Sequence, residues 1–206
     1  MKRAIFLIAS GISPLFAGGG FGYWLAGLGY GEVPAVSGYP SPKNYGLMWG
    51  GEGYGIWNKF IFGGGGYGIN GFSSEGSGFA SSSGIWAGYF SLGYAILKSE
   101  KILLFPSVRI GGGGYNLEIR EIKSGSYNDF IQNPPKYILI SSAGWYGGLS
   151  LGFMYYRTPV LLGLNAGIGY VFYAGYYINE NEVRNSPEYK KPAMWMNLII
   201  GGGYWK

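Results

Sequence analysis

The chain has no cysteine and no histidine. Disulfides, thiolate nucleophiles, zinc-finger sites and histidine general bases are excluded together. Acidic residues are few, and Asp129 is the single aspartate. A Ser-His hydrolase cannot be assembled, and no spaced pair of carboxylates stands out for acid–base work. Charged residues make up 12% of the chain, roughly half the usual share. No apolar run reaches the roughly 18 residues of a membrane-spanning helix. Gly63, Gly65 and Gly68 have the spacing of a dinucleotide fingerprint. No helical pattern follows them, and that motif needs a helix N-terminus against the phosphate. No cofactor or metal is expected, and no basic stripe with interleaved aromatics points to nucleic acid.

What the chain has is glycine and aromatic side chains: 41 Gly, 20 Tyr, 12 Phe and 7 Trp in 206 residues. The glycine share is about three times the ordinary one. Disordered Gly-rich segments lack large apolar residues, and this chain does not. The length suits one β domain. Glycine comes in runs with an apolar shoulder before and an aromatic after: "KFIFGGGGYGI" from Lys59, "VRIGGGGYNL" from Val108 and "LIIGGGYW" from Leu198. A flexible linker has no need of such flanks.

The N-terminal "MKRAIFLIASGISPLFA" places Lys2 and Arg3 before an apolar stretch from Ala4 to Phe16, with Ala17 at its end. That is the layout of a secretory signal peptide. A first strand or a short buried helix is the competing reading. Residues 1–17 are expected to be the signal peptide and residues 18–206 a single barrel domain.

Eight apolar or aromatic segments follow, near 18–30, 44–57, 59–69, 84–97, 101–120, 138–156, 159–173 and 193–205. Several alternate with the period of a strand. In the sixth, Trp145, Leu149, Leu151 and Phe153 share one face, and Ser142, Gly148, Ser150 and Gly152 share the other. In the seventh, Leu162, Leu164 and Ile168 oppose Gly163, Asn165 and Gly167. A soluble sandwich would put charge on the second face. Here that face carries glycine and serine, so the bulky face is assigned to lipid and the small face to a barrel interior.

Connection lengths give the topology. Short links fall at Asn58, at Lys98–Glu100 and at Arg157–Thr158. Long, polar, proline-bearing links fall at 31–43, 70–83, 121–137 and 174–192. Short and long alternate, so all short turns and both termini lie at one end. The expected fold is all-β: an eight-stranded antiparallel up-and-down β-barrel of the membrane type. On these features the chain resembles the small outer-membrane barrels of the OmpA-transmembrane-domain and OmpX/OmpW type. The aromatic strand ends Trp57, Tyr155, Tyr156, Tyr204 and Trp205 add to that likeness. The resemblance implies an outer-membrane location and export through the signal peptide.

Glycine runs let a closing sheet coil tightly, and alternation changes phase across Gly111–Gly114, which reads as a bulge. On the small-residue face lie Glu52, Ser91, Ser107, Arg109, Ser150, Asn165 and Asn197. They are expected to meet near the axis as a polar network. Glu52 and Arg109 should pair there, directly or bridged by Tyr54, a serine or water, because an unpaired buried charge is costly. The pair reads either as a structural ion pair in a plugged interior or as a gate or solute contact.

The turn end carries Lys59, Lys98, Lys101, Arg157 and Lys206 against Glu100. Such a basic end suits anionic headgroups. The expected role is that of a non-enzymatic, monomeric envelope barrel in contact with membrane lipid. Its work would be envelope structure, adhesion of a surface ligand at the four long loops, or passage or binding of a small solute. The alternative is a secreted Gly/Tyr-rich β-structural protein of an extracellular matrix or fibre, with strands stacked between chains. An outer-membrane enzyme acting on lipid is a third reading. The barrel should require detergent and shift its gel mobility between unheated and heated samples. A chain that stays soluble without detergent and shows no such shift would favour the fibre.

Overall fold

The computed structural model describes residues 19–124, 131–157, 159–179, 181–182 and 192–205. The signal peptide expected at 1–17 lies outside them, as do Asp129, Thr158 and Lys206. Eight long strands make the wall. They are β1 Gly19–Gly31, β2 Tyr45–Trp57, β3 Phe60–Gly71, β4 Phe79–Tyr94, β5 Ile102–Glu121, β6 Tyr137–Arg157, β7 Val160–Ile178 and β8 Pro192–Trp205. Each pairs antiparallel with its sequence neighbours, and β8 pairs with β1, so the ring closes.

The register fixes the shape. Starting at Gly20, successive Cα partners are Gly55, Phe62, Leu92, Val108, Leu149, Ile168 and Met194. The last of these pairs with Tyr30, ten residues further along β1. Eight strands with that stagger tilt by roughly 40° and enclose a backbone cylinder of about 8 Å radius. Inward Cβ atoms converge strongly in so narrow a ring.

That convergence accounts for the glycine runs. Gly63 pairs with Tyr54, Gly111 with Tyr89 and Gly201 with Tyr23, and all three tyrosines point inside. A Cβ on Gly201 would stand 2.6 Å from Cβ of Tyr23, and one on Gly63 would stand 2.8 Å from Cα of Tyr54. Neither spacing is tolerable, so each run gives up its side chains where a neighbouring strand sends in a ring. The interior is accordingly not a lining of small residues throughout. It is a column of large rings whose cross-strand partners are bare.

The bulge expected at Gly111–Gly114 is absent. β5 pairs with β6 in unbroken register from Ile102↔Tyr155 to Arg120↔Tyr137, and with β4 from Phe79↔Glu121 to Gly93↔Ser107. Odd-numbered residues of β5 face inward on both sides of the run. The sequence pattern inverts for another reason. Below the run Val108 and Ile110 are bulky and outward. Above it Asn116 and Arg120 face outward, while Tyr115, Leu117 and Ile119 are buried inside. The strand has left lipid for water, so the polar face changes sides without any slip. The shift that does occur lies between β6 and β7, where Ala143 pairs with Gly175 and Trp145 with Phe172. The extra residue is on β7, and beyond it Tyr176 is the buried one.

The segment expected as a loop at 70–83 is largely strand. Ser74–Gly76 pairs with Phe79–Ser81 around Ser77 and Gly78, both at positive φ. That is the geometry of a two-residue hairpin turn. At the opposite end Asn58 also has positive φ (59°), which asparagine tolerates in the tight β2–β3 turn.

The outer wall is apolar. Trp24, Leu28, Phe90, Leu149, Leu151, Leu162 and Leu164 are exposed, as the alternation required, and Ile168 is half-exposed. On β6 the belt runs from Trp145 to Tyr155. Ten residues at about 3.4 Å each, tilted by roughly 40°, rise about 26 Å along the axis. A membrane barrel needs an apolar band about 25 Å tall. Leu164→Arg, near mid-belt, should cost about 2–4 kcal/mol of stability in lipid vesicles, read by denaturant titration. An unchanged midpoint would mean that this face does not meet lipid.

Candidate functional site

Glu52 is fully buried at the axis, and its carboxylate organises the middle of the barrel. Its Oε2 accepts hydrogen bonds from the hydroxyls of Tyr23 and of Tyr54, the latter at 2.6 Å. Its Oε1 accepts one from the Tyr89 hydroxyl and lies 2.8 Å from Nη2 of Arg109. An ionised carboxylate offers about four acceptor positions, and all are taken. The three hydroxyls belong to the three tyrosines that face the glycine runs. Glycine on β3, β5 and β8 thus positions the donors on β2, β4 and β1.

Arg109 is equally buried. Its guanidinium lies over the Tyr89 ring at 4.6 Å and near the Trp195 ring at 5.3 Å, favourable cation–π placements in a desolvated site. Nη2 also donates to Oδ1 of Asn165 at 3.4 Å, and that oxygen accepts from Nε1 of Trp195 at 3.0 Å. The network draws on β1, β2, β4, β5, β7 and β8.

All seven polar residues singled out from the sequence are buried inside the ring. The structure joins Glu52, Arg109 and Asn165 in one network. Ser107 and Ser150 form a separate pair, with Oγ atoms 2.7 Å apart. Ser91 and Asn197 do not join either group: their side-chain polar atoms have no hydrogen-bond partner among the described residues. Tyr23, Tyr89 and Trp195 belong to the site and were not recognised as such from the sequence. The available signal was their register opposite glycine, which requires strand pairing to read.

Two apolar layers flank the network. Toward the turns, Phe21 stacks on Tyr54 (centroids 5.2 Å) and contacts Phe105 and Trp205, with Ile56, Ile61, Leu103, Met154 and Leu161 around them. Toward the loops, Tyr67 packs on Trp195 (5.1 Å), and Tyr89 on Tyr146 (5.6 Å). Above them the segment between β1 and β2 folds over the mouth, with Val33 buried on Tyr115, Leu117 and Ile119. Between these layers a cavity of about 20 Å³ remains, lined by Tyr67, Tyr115, Ser142 and Tyr146. That is room for about one water. Outside the belt, the Lys136 backbone N–H donates to the Glu121 carboxylate at 3.0 Å and holds its pKa below the usual range, with Lys123 adding to the effect.

No protein-family model matches the sequence, and no curated protein matches it significantly. Solved structures do. A major outer membrane protein from Thermus thermophilus matches over 89% of this chain and 98% of its own, with 10% identity and a TM-score of 0.50. Ail, the attachment invasion locus protein of Yersinia pestis, matches over 91% and 99%, with 14% identity and a TM-score of 0.46. The outer membrane protease OmpT from Escherichia coli matches over 91% and 96%, with 12% identity and a TM-score of 0.31. The chain has the fold of outer-membrane β-barrels. Removing Arg109 leaves the Glu52 charge without its counter-ion. Arg109→Ala should cost about 3–5 kcal/mol, while Glu52→Gln with Arg109→Met should cost less than either single change. A double-mutant cycle in vesicles with additive losses would contradict a coupled pair.

Proposed function

We propose that this chain is a non-enzymatic, non-conducting, monomeric barrel of an outer membrane, exported with residues 1–17 as its signal peptide, whose work is structural or adhesive. One observation carries the reading: among the described residues, buried rings and the ion-pair network occupy the axis along the belt. Phe21, Phe105 and Trp205 close the turn half, the Glu52–Arg109 network fills the middle, and Tyr67, Tyr146 and Trp195 cover it. A cavity with room for about one water is no path for a solute. A drug-sized ligand site needs roughly 300 Å³ or more. Adhesion would then fall to the loop ends near 31–43, 70–83, 121–137 and 174–192, held on strands that rise past the belt.

The geometry around Glu52 also speaks against catalysis there. Both carboxylate oxygens are saturated by donors and buried away from any substrate. The fibre alternative requires unpaired strand edges to stack between chains. A ring closed by β8 on β1 offers none there. In planar bilayers the purified barrel should give no single-channel steps at high salt, and Arg109→Ala should give none either if the pair is structural. Steps that appear only in Arg109→Ala would reassign the pair as a gate, and steps in the unaltered protein would overturn the non-conducting reading.

A further inference from the structure

At the base of the barrel the β2–β3 turn, the β4–β5 turn and the end of β6 are tied into one arc. Ala95 N–H donates to the Lys59 carbonyl at 2.8 Å, and Lys98 Nζ donates to the Asn58 carbonyl at 3.1 Å, joining the β2–β3 turn to the β4–β5 turn. Tyr156 N–H donates to the Lys101 carbonyl at 2.8 Å, joining the β4–β5 turn to the end of β6. Trp205 Nε1 donates to the Ser99 carbonyl at 2.8 Å and pins the middle of the arc to β8. The arc carries Lys59, Lys98, Lys101 and Arg157 against Glu100 alone. Lys59, Lys101 and Arg157 are exposed and Lys98 is half-exposed. At the opposite end the described residues hold Lys43, Arg120, Lys123 and Lys136 against Glu32, Glu75, Glu118 and Glu121. Among the described residues net positive charge is therefore confined to one end, and it sits on a hydrogen-bonded frame.

Immediately inside the arc stand the exposed rings of Trp57, Phe60, Tyr94 and Tyr155, with Phe60 and Tyr94 in edge contact at 5.6 Å. Aromatic girdles of this kind sit at the level of lipid headgroups. An amino or guanidinium group one or two residues beyond such a ring is at the height of a lipid phosphate. We infer that the basic arc is a binding site for anionic glycerophospholipid headgroups in the leaflet that faces the turns. The phosphate is held between paired basic groups, Lys59 with Lys98 and Lys101 with Arg157, while the acyl chains lie along the adjoining rings. The inference rests on the membrane-barrel reading. Charge complementarity and continuity with the lipid-facing belt select lipid as the occupant over a soluble protein.

The test uses the full chain refolded into nanodiscs containing equal parts of phosphatidylglycerol and phosphatidylcholine, with retained lipids counted by native mass spectrometry. Each basic group near an anionic surface contributes roughly fivefold to association. Two on one phosphate should give a phosphatidylglycerol preference on the order of twentyfold. The variant Lys59→Gln/Lys98→Gln/Lys101→Gln/Arg157→Gln should lose most of that preference. The equally discharged variant Lys43→Gln/Arg120→Gln/Lys123→Gln/Lys136→Gln should keep it. No preference in the unaltered protein, preference retained in the first variant, or loss in both variants would each overturn the site. Arc-dependent binding of sucrose octasulfate in uncharged detergent, without any lipid preference, would reassign the arc to a soluble polyanion. Failure to insert into the nanodiscs would sink the membrane reading itself, whereas insertion with no lipid preference sinks this inference alone.

Discussion

One buried carboxylate sets the terms for this barrel. Glu52 sits on the axis with both oxygens saturated, and a charge in that position is tolerated only while its donors are held in place. Three donors are tyrosine hydroxyls. Large rings fit inside an eight-stranded ring only where the facing strand gives up its Cβ atoms. The glycine runs, the tyrosine content and the ion pair are thus one arrangement, distributed over strands far apart in sequence. Its value is in specificity as well as stability. Shifting any of these strands by one residue would turn a donor out to lipid and leave Glu52 short, so the network selects a single register.

The same narrowness explains why the interior is closely packed. An eight-stranded ring leaves about enough room for its own inward side chains. Here the largest of those are phenylalanine, tyrosine and tryptophan, from Trp205 up to Tyr146, with aliphatic side chains around them. A wall of this kind gives a rigid post with an apolar belt outside, loops at one end and a framed basic arc at the other. The two ends face different surroundings, and the charges are sorted accordingly.

The strand pattern also records where the membrane stops. On β5 the outward residues change from Val108 and Ile110 to Asn116 and Arg120, and the inward ones change in the opposite sense. In a soluble sheet such an inversion signals an inserted residue. In a membrane barrel a change of surroundings does the same with no insertion, because lipid and water ask opposite things of an outward side chain. The glycine run happens to lie at that boundary, which made a bulge the natural reading.

Much of the fold was legible because it depends on local periodicity. Alternation in the fourth, sixth and seventh segments assigns each side chain to a face, and link lengths give strand order without any knowledge of pairing. The inward placement of Glu52 and Arg109 followed from parity alone. Parity says which face a residue is on but not which residue stands across from it. Only the closed register set Tyr23, Tyr54 and Tyr89 against the glycine runs and brought their hydroxyls to Glu52. The register also left Ser91 and Asn197 aside, paired Ser107 with Ser150, and turned the expected loop at 70–83 into a hairpin. The sequence determined faces, strand order and the lipid belt, since these are set by each strand and its solvent. Tertiary structure decided the network, because a buried charge is satisfied by groups that meet only when the ring has closed.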